Sequence, residues 1–87
     1  MLKKEEIEIL NTNDWIKGIM IITKYWNIEY GTYEYKDIEG MKSIKLTTGG
    51  WSENEELIDE IATTMFWILW WQESKRGGYY KFVKESV

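Results

Sequence analysis

The alternation of apolar and polar positions divides the chain into helical and extended segments. Residues 13–26 are predicted to form an amphipathic helix, with Asn13 as the N-cap and Asp14 in the first turn. Its large apolar side chains recur at the spacing of one helix face: Trp15, Ile19, Ile22 and Trp26. A strand is the alternative, because Ile19–Thr23 is rich in β-branched residues. The first eleven residues are charged and are expected to be prone to fraying.

Two later segments, Ile28–Lys36 and Ser43–Thr48, alternate apolar and polar residues as half-exposed strands do, and Tyr79–Val83 is predicted to form a last strand. Between the first two, Asp37–Met41 contains Gly40 and is typical of a short hairpin connection. Gly49-Gly50 ends the second strand.

A long helix is predicted from Ser52 to about Glu73. Ser52 is the expected N-cap, with Glu55 completing a capping box, and Gly77 the expected left-handed stop. The apolar residues expected on its core face are Leu57, Ile58, Ile61, Met65, Ile68 and Leu69. The resulting order, α-β-β-α-β, predicts a single α+β domain over residues 1–87, with two layers and the helices on one face of a three-stranded sheet.

Three tryptophans, Trp67, Trp70 and Trp71, fall outside that core face. The long helix would therefore be apolar nearly all round at its C-terminal end, and such a helix needs a cover on both sides. Trp15 and Trp26 of the first helix could supply that cover. The functional alternatives are a second subunit, which would make the three indoles an oligomer interface, or a bound ligand.

Composition argues for binding rather than catalysis. The chain has no His and no Cys, which removes the commonest general base, the thiolate nucleophile and the usual ligands of a metal site. No carboxylate pair stands out, so we expect no enzymatic activity and no metal or cofactor. A net charge of −4 argues against non-specific nucleic-acid binding. The apolar run Met65–Trp71 is too short for a membrane span, and the N-terminus lacks a signal-peptide pattern, so a cytoplasmic location is expected.

Two glycine pairs mark candidate ligand sites. The first segment joins a strand to a predicted helix N-terminus, where free N–H groups suit a phosphate or carboxylate ligand. Its candidate residues are Thr47, Thr48, Gly49, Gly50, Trp51 and Ser52. The alternative is purely structural: the glycines permit a turn and Ser52 caps the helix.

The second segment places Arg76 before Gly77-Gly78 and beside Tyr79 and Tyr80. A guanidinium next to aromatic rings can hold a nucleotide. The structural alternative is a helix end, with Lys75 and Arg76 complementing the helix dipole. A helix of about 20 residues is roughly 30 Å long, so the two segments are expected to meet only across a subunit interface.

The chain resembles a group of small tailed-phage proteins over residues 26–87. The matching segments are Tyr30–Tyr35, Thr47–Glu55, Phe66-Trp67, Trp71 and Ser74–Tyr80. The resemblance implies a viral accessory protein that acts inside a host bacterium, where small phage proteins often counter host defence. The group often has a His near Tyr79 and a Gly near Glu53, and this chain has neither.

Two functions are therefore expected, in this order. The first is an oligomeric sponge that sequesters a nucleotide-type immune signal without cleaving it. The second is an inhibitor that docks on a host nuclease or defence complex and imitates phosphates with acidic side chains, namely Glu53, Glu55, Glu56, Asp59 and Glu60. A virion or assembly component is a third possibility, supported only by the oligomer hypothesis.

Overall fold

The protein is an α+β domain in the computed structural model, which describes residues 1–85. Along the chain the elements are α1 (Lys4–Leu10), α2 (Trp15–Tyr25), β1 (Thr32–Ile38), β2 (Met41–Thr47), α3 (Ser52–Ile61), α4 (Met65–Trp70), β3 (Trp71–Lys75) and β4 (Tyr79–Glu85). The strands form one antiparallel sheet in the order β1-β2-β4-β3. The predicted fold class is confirmed, whereas the predicted three-stranded sheet lacks one strand, β3.

Two hairpins joined side by side make up the sheet. Glu39 and Gly40, with φ angles of 51° and 81°, form the tight turn between β1 and β2. Positive φ at both positions is the signature of the type I′ turn, whose twist matches that of paired strands. Residues 76–78 connect β3 to β4, and β2 pairs with β4 to join the hairpins. The outer edges of the sheet are therefore β1 and β3.

The predicted long helix is wrong, because it is interrupted at residues 62–64. Thr63 Oγ1 donates to Glu60 O at 2.8 Å, and Thr64 Oγ1 donates to Ile61 O at 2.7 Å. Thr23 makes the same kind of bond to Ile19 O inside the unbroken helix α2, so these hydroxyl bonds accompany the interruption rather than cause it. The chain then starts a new helix, α4, whose faces are no longer in phase with those of α3.

This change of phase reverses the predicted orientation of α4. Phe66 is buried, and Trp67 and Trp70 pack partly against the core. The residues expected on the core face, Met65, Ile68 and Leu69, are instead exposed. Leu57, Ile58 and Ile61 of α3 are buried as predicted.

The segment after α4 turns into a strand rather than ending a helix. Residues 71–75 pair with β4, and Gly77, at φ 92°, lies in the hairpin turn. Gly77 is therefore left-handed as predicted, but in a β-turn rather than at a helix C-terminus. Lys75 and Arg76 lie in a strand and a turn, so they do not complement a helix dipole.

Both predicted helix caps shift by one residue. Asp14, not Asn13, is the N-cap of α2, and its side chain accepts a hydrogen bond from Lys17 N at 3.1 Å. Trp51 is the N-cap of α3, Ser52 is its first residue, and no side chain caps this helix end. The predicted capping box is therefore wrong, because Ser52 already has helical backbone geometry and its side chain cannot occupy the capping position.

The predicted first strand begins too early. Residues 28–30 form a turn, in which Gly31 N donates to Asn27 O at 3.1 Å, and β1 starts at Thr32. A Cβ on Gly31 would lie 2.2 Å from Thr47 O and 2.7 Å from Asn54 Nδ2, so glycine is needed for this close approach. The predicted second and last strands correspond to β2 and β4.

The core lies between the helices and one face of the sheet. Ile44, Leu46 and Phe82 supply the sheet side of it, and all three are fully buried. Their neighbours along each strand point to the opposite face, where Ser43, Lys45 and Val83 stay partly exposed. The helices therefore cover one face, as predicted, and no helix within residues 1–85 covers the other.

Helix α1, which the sequence did not predict, is attached to α2 through Glu6. The carboxylate of Glu6 accepts hydrogen bonds from Tyr25 Oη at 2.6 Å, Lys3 N at 2.9 Å and Lys24 Nζ at 3.3 Å. The Tyr25 hydroxyl contributes most, and together these donors lower the pKa of Glu6 to about 2. Leu10 adds a buried apolar contact.

Candidate functional site

The two glycine segments meet within one chain, at one end of the sheet. Thr48 N donates to Gly78 O at 3.0 Å, and Thr47 pairs with Tyr79. The prediction that these segments are separated by the length of a helix is wrong, because the chain turns at residues 62–64 and returns through β3. We call this region the glycine corner and define it by Thr47–Trp51 and Arg76–Tyr79.

Most polar side chains of the glycine corner are already used inside the protein. Thr48 is fully buried, and its Oγ1 accepts from Gly50 N at 3.2 Å and donates to Glu55 Oε2 at 3.4 Å. Thr47 Oγ1 lies 2.6 Å from Thr32 Oγ1 and accepts from Thr32 N. The predicted role of these hydroxyls as ligand donors is therefore not supported by their geometry.

Asn54, which was not among the predicted site residues, organises the same corner. It is fully buried: its Oδ1 accepts from Asn27 N at 2.8 Å, and its Nδ2 donates to Asn27 O and Thr48 O. The only sequence signal was an amide side chain within the first turn of an acidic helix. Tyr30 was also missed; its ring stacks on Trp51 with the centroids 4.2 Å apart.

The aromatic and cationic candidates of the second segment divide between the two faces of the sheet. Tyr80 faces the core side, 5.9 Å from Trp67, whereas Tyr79 is on the opposite face. Lys75 Nζ lies 5.1 Å from the centre of the Tyr79 ring, and Arg76 is exposed in the turn. Of the predicted ligand residues, Gly49, Gly50, Ser52 and Arg76 are exposed, Thr48 is buried, and the others are half-buried.

The three tryptophans predicted as an interface differ in their surroundings. Trp70 packs edge-on against Trp15 at 5.2 Å and against Phe66 at 5.0 Å, so α2 covers it. Trp67 packs on Phe82 at 5.5 Å. Trp71 stacks on Trp67 at 6.0 Å and leaves 44% of its surface exposed.

The exposed apolar residues of this region belong to the opposite side of α4. Ile68 is 78% exposed and Leu69 is 44% exposed. Together with Met65 and Trp71 they form what we call the α4–β3 surface. Next to it is an open cleft of about 560 Å³ lined by Leu69, Trp70, Trp71, Gln72, Val83, Lys84 and Glu85.

Acidic residues precede this surface along the chain. Glu53, Glu55, Glu56 and Asp59 of α3 are exposed, whereas Glu60 is half-buried and accepts a hydrogen bond from Leu2 N at 3.1 Å. Residues 52–70 contain no Lys and no Arg. The strongly acidic helix α3 is thus followed along the chain by α4, one side of which is apolar and exposed.

Neither a protein family, nor a curated protein, nor a solved structure matches this chain. Over residues 1–85, no three side chains of the His, Cys, Asp or Glu types are grouped as a metal site requires. No helix within the same range is long and apolar enough to cross a membrane.

Proposed function

We propose that this protein acts by binding and docks on a basic surface of another protein through α3 and the α4–β3 surface. The observation that carries this proposal is the exposure of Ile68, Leu69 and Trp71 in α4 and β3, the two elements that follow the acidic helix α3 along the chain. Apolar side chains clustered beside charged ones are typical of interfaces, in which an apolar centre is surrounded by a polar rim.

Charge favours a different protein over a second copy at this surface. Five carboxylates and no cation lie between residues 52 and 70. Two copies would place like charges together, and like-charge contacts suppress wrong partners. A basic partner, such as the nucleic-acid-binding cleft of another protein, would instead attract the acidic helix.

The cleft beside Trp71 offers a place for one amphipathic side chain of the partner, because its lining combines the two indoles of Trp70 and Trp71 with polar side chains, among them Lys84 and Glu85. Clefts lined by aromatic residues receive the few anchor residues that dominate binding energy at protein interfaces. The exposed Ile68 and Leu69 would surround that anchor and exclude water from it.

The resemblance to small tailed-phage proteins suggests where such a partner would be found. It would make the partner a defence nuclease or defence complex in the cytoplasm of an infected bacterium. The acidic side chains of α3 would then occupy sites that normally hold nucleic-acid phosphates.

Paired substitutions at exposed isoleucines test the docking surface. We expect Ile68→Asp to weaken capture of the partner from a bacterial lysate and to raise the measured Kd at least about tenfold, since a buried interface residue can contribute 2 kcal/mol or more. Ile28→Asp is the matched control, because Ile28 is 70% exposed in the loop before β1. Equal Kd values for the two variants would contradict the proposal.

A nucleotide sponge remains the second candidate, favoured by the contact between Thr48 and Gly78. That contact brings exposed Arg76 and Gly50 to the same corner of one chain. Isothermal titration with cyclic nucleotides and ADP-ribose derivatives tests it. We expect binding that Arg76→Ala abolishes and that Lys17→Ala, at an exposed site on α2, leaves unchanged. Absence of heat with every nucleotide discards this candidate.

A further inference from the structure

The free edge of the sheet at β1 has the features of a self-complementary strand. All seven residues of β1 are exposed, and within the described residues 1–85 this strand pairs on one side only, with β2. The opposite edge, β3, is shorter and contains a register shift between Trp71 and Glu73. Bulges and short length protect edge strands from pairing with other chains, and β1 lacks both.

The hairpin turn determines which backbone groups of β1 are free. Ile38 and Met41 flank the two-residue turn and form the hydrogen-bonded pair that closes it. By alternation, the backbone groups of Lys36, Glu34 and Thr32 also point to β2, and Thr32 N does donate to Thr47 Oγ1 on β2. Those of Tyr33, Tyr35 and Asp37 therefore point to the free edge.

The charges on β1 favour one register for pairing this edge with β1 of a second copy. Glu34 Oε1 and Lys36 Nζ lie 3.0 Å apart on the uncovered face of the sheet, and the Lys36 ammonium lowers the pKa of Glu34. Tyr35 lies midway between them and at the centre of β1. A two-fold axis at Tyr35 places each Glu34 opposite the partner's Lys36 and pairs the strand along its full length.

The charges also disfavour the two neighbouring registers of antiparallel pairing. An axis at Glu34 would place two glutamates opposite each other, and an axis at Lys36 would place two lysines opposite each other. Like charges directly across a strand pair are destabilising. The Tyr35 register also makes Glu34 and the partner's Lys36 a non-hydrogen-bonded pair, in which opposite side chains approach most closely.

We propose that two copies of this chain pair antiparallel through β1, with the two-fold axis at Tyr35, to form a continuous eight-stranded sheet. About six backbone hydrogen bonds join the copies, through Tyr33, Tyr35 and Asp37. The helices of both copies lie on the same face, and the α4–β3 surfaces remain free. The proposal depends on β1 alone and is independent of the docking function.

Charge reversal tests the pairing by analytical ultracentrifugation. Glu34→Lys and Lys36→Glu each turn two attractive cross-strand pairs into repulsive ones, and we expect the dimer Kd to rise about tenfold or more. The double variant Glu34→Lys/Lys36→Glu restores complementarity and is expected to return the Kd to within about threefold of the original. Glu34 also faces Lys45 of β2 within the monomer, so Glu34→Lys adds one like-charge pair there; both substituted side chains are at least half exposed, and the monomer fold is expected to survive each change.

Three outcomes would overturn the pairing. One is a chain that stays monomeric at all concentrations reached. Another is a dimer whose Kd is insensitive to the single reversals. The third is a dimer that Leu69→Asp dissociates while Glu34→Lys does not, which would assign self-association to the α4–β3 surface instead.

Discussion

The fully buried side chain of Asn54 connects the first turn of α3 to two other backbone segments, one at Asn27 and one at Thr48. Its amide bonds Asn27 N, Asn27 O and Thr48 O, so its removal leaves buried polar groups without partners. We expect Asn54→Ala to lower the free energy of unfolding by about 2–4 kcal/mol, measured by urea denaturation. Asn13→Ala, the same change at an exposed site, controls for the loss of an amide, with an expected effect below about 0.5 kcal/mol.

Gly49 and Gly50 have similar backbone angles but different surroundings. Their φ angles are 66° and 74°, yet a Cβ on Gly49 would lie 1.7 Å from Tyr30 O, whereas one on Gly50 would meet nothing within 4 Å. Gly50→Ala is expected to lower the free energy of unfolding by about 1–2 kcal/mol, from backbone strain alone. Gly49→Ala should lower it by about 3 kcal/mol or more, because the backbone at Tyr30 must also move to make room for the new methyl group.

Thermal or urea unfolding of both alanine variants measures this difference. Equal destabilisation would show that Gly49 is not pressed against the loop before β1. Gly78→Ala and Gly77→Ala form a second pair of the same kind, since a Cβ on Gly78 would meet Thr48 Oγ1 and one on Gly77 would meet nothing within 4 Å.

At the scale of residues, the sequence predicted where the backbone turns at glycines, but it did not predict which contacts those turns make. Gly77 is left-handed, as expected, and Gly49 and Gly50 lie in a turn with positive φ angles, in agreement with the structural alternative given for them. Thr48 was interpreted as a ligand donor and Ser52 as a helix cap from the residues next to each of them. The contact between Thr48 and Gly78 depends instead on the reversal of the chain at residues 62–64, which neither glycine segment indicates. Asn54 could not be recognised, because its partners are distant in sequence.

At the scale of elements, α4 is the most informative departure from the predicted structure. If the helical period of 3.6 residues continued without interruption from residue 52 to residue 73, Ile68 would lie in the core and Trp67 would lie outside it. The threonines at 63 and 64 are compatible with an uninterrupted helix, so the sequence pattern alone could not reveal the change of phase. Strands β2 and β4 were predicted more closely, whereas β3 was assigned to the end of the long helix and β1 was predicted to begin at Ile28.

Alanine substitutions on the two sides of α4 measure its orientation. Phe66→Ala is expected to cost about 3–5 kcal/mol, because Phe66 is 1% exposed and contacts Trp15, Trp70 and Phe82. Ile68→Ala should change stability by less than about 0.5 kcal/mol. The reverse order of the two costs, in urea denaturation, would indicate the continuous helix instead.

For the whole molecule, acid sensitivity is expected to originate partly where α1 meets α2. The pKa of Glu6 is about 2 in the folded protein, against an ordinary value of 4.5. A group with a lowered pKa stabilises the fold fully above its unfolded value, so this contribution is present above pH 4.5 and is lost as pH falls from there toward 2.

Melting temperatures from pH 7 to pH 3 test this contribution. We expect the melting temperature of the original chain to fall more steeply on acidification than that of Glu6→Gln, whose amide cannot lose a charge. Glu8→Gln, an exposed change on the same helix, controls for the removal of one negative charge. Parallel curves for the original chain and Glu6→Gln would contradict the prediction.

The pairing of β2 with β4 has a kinetic consequence. Each hairpin is local, and hairpins form in about 1–10 μs. Joining them brings Thr47 beside Tyr79 and requires α3 and α4 to be accommodated in the intervening loop. Closing this loop costs conformational entropy before the stabilising contacts between β2 and β4 form. We therefore expect this step to limit the folding rate. Substitutions at Leu46 or Phe82 should then slow folding more than substitutions within the β1–β2 turn.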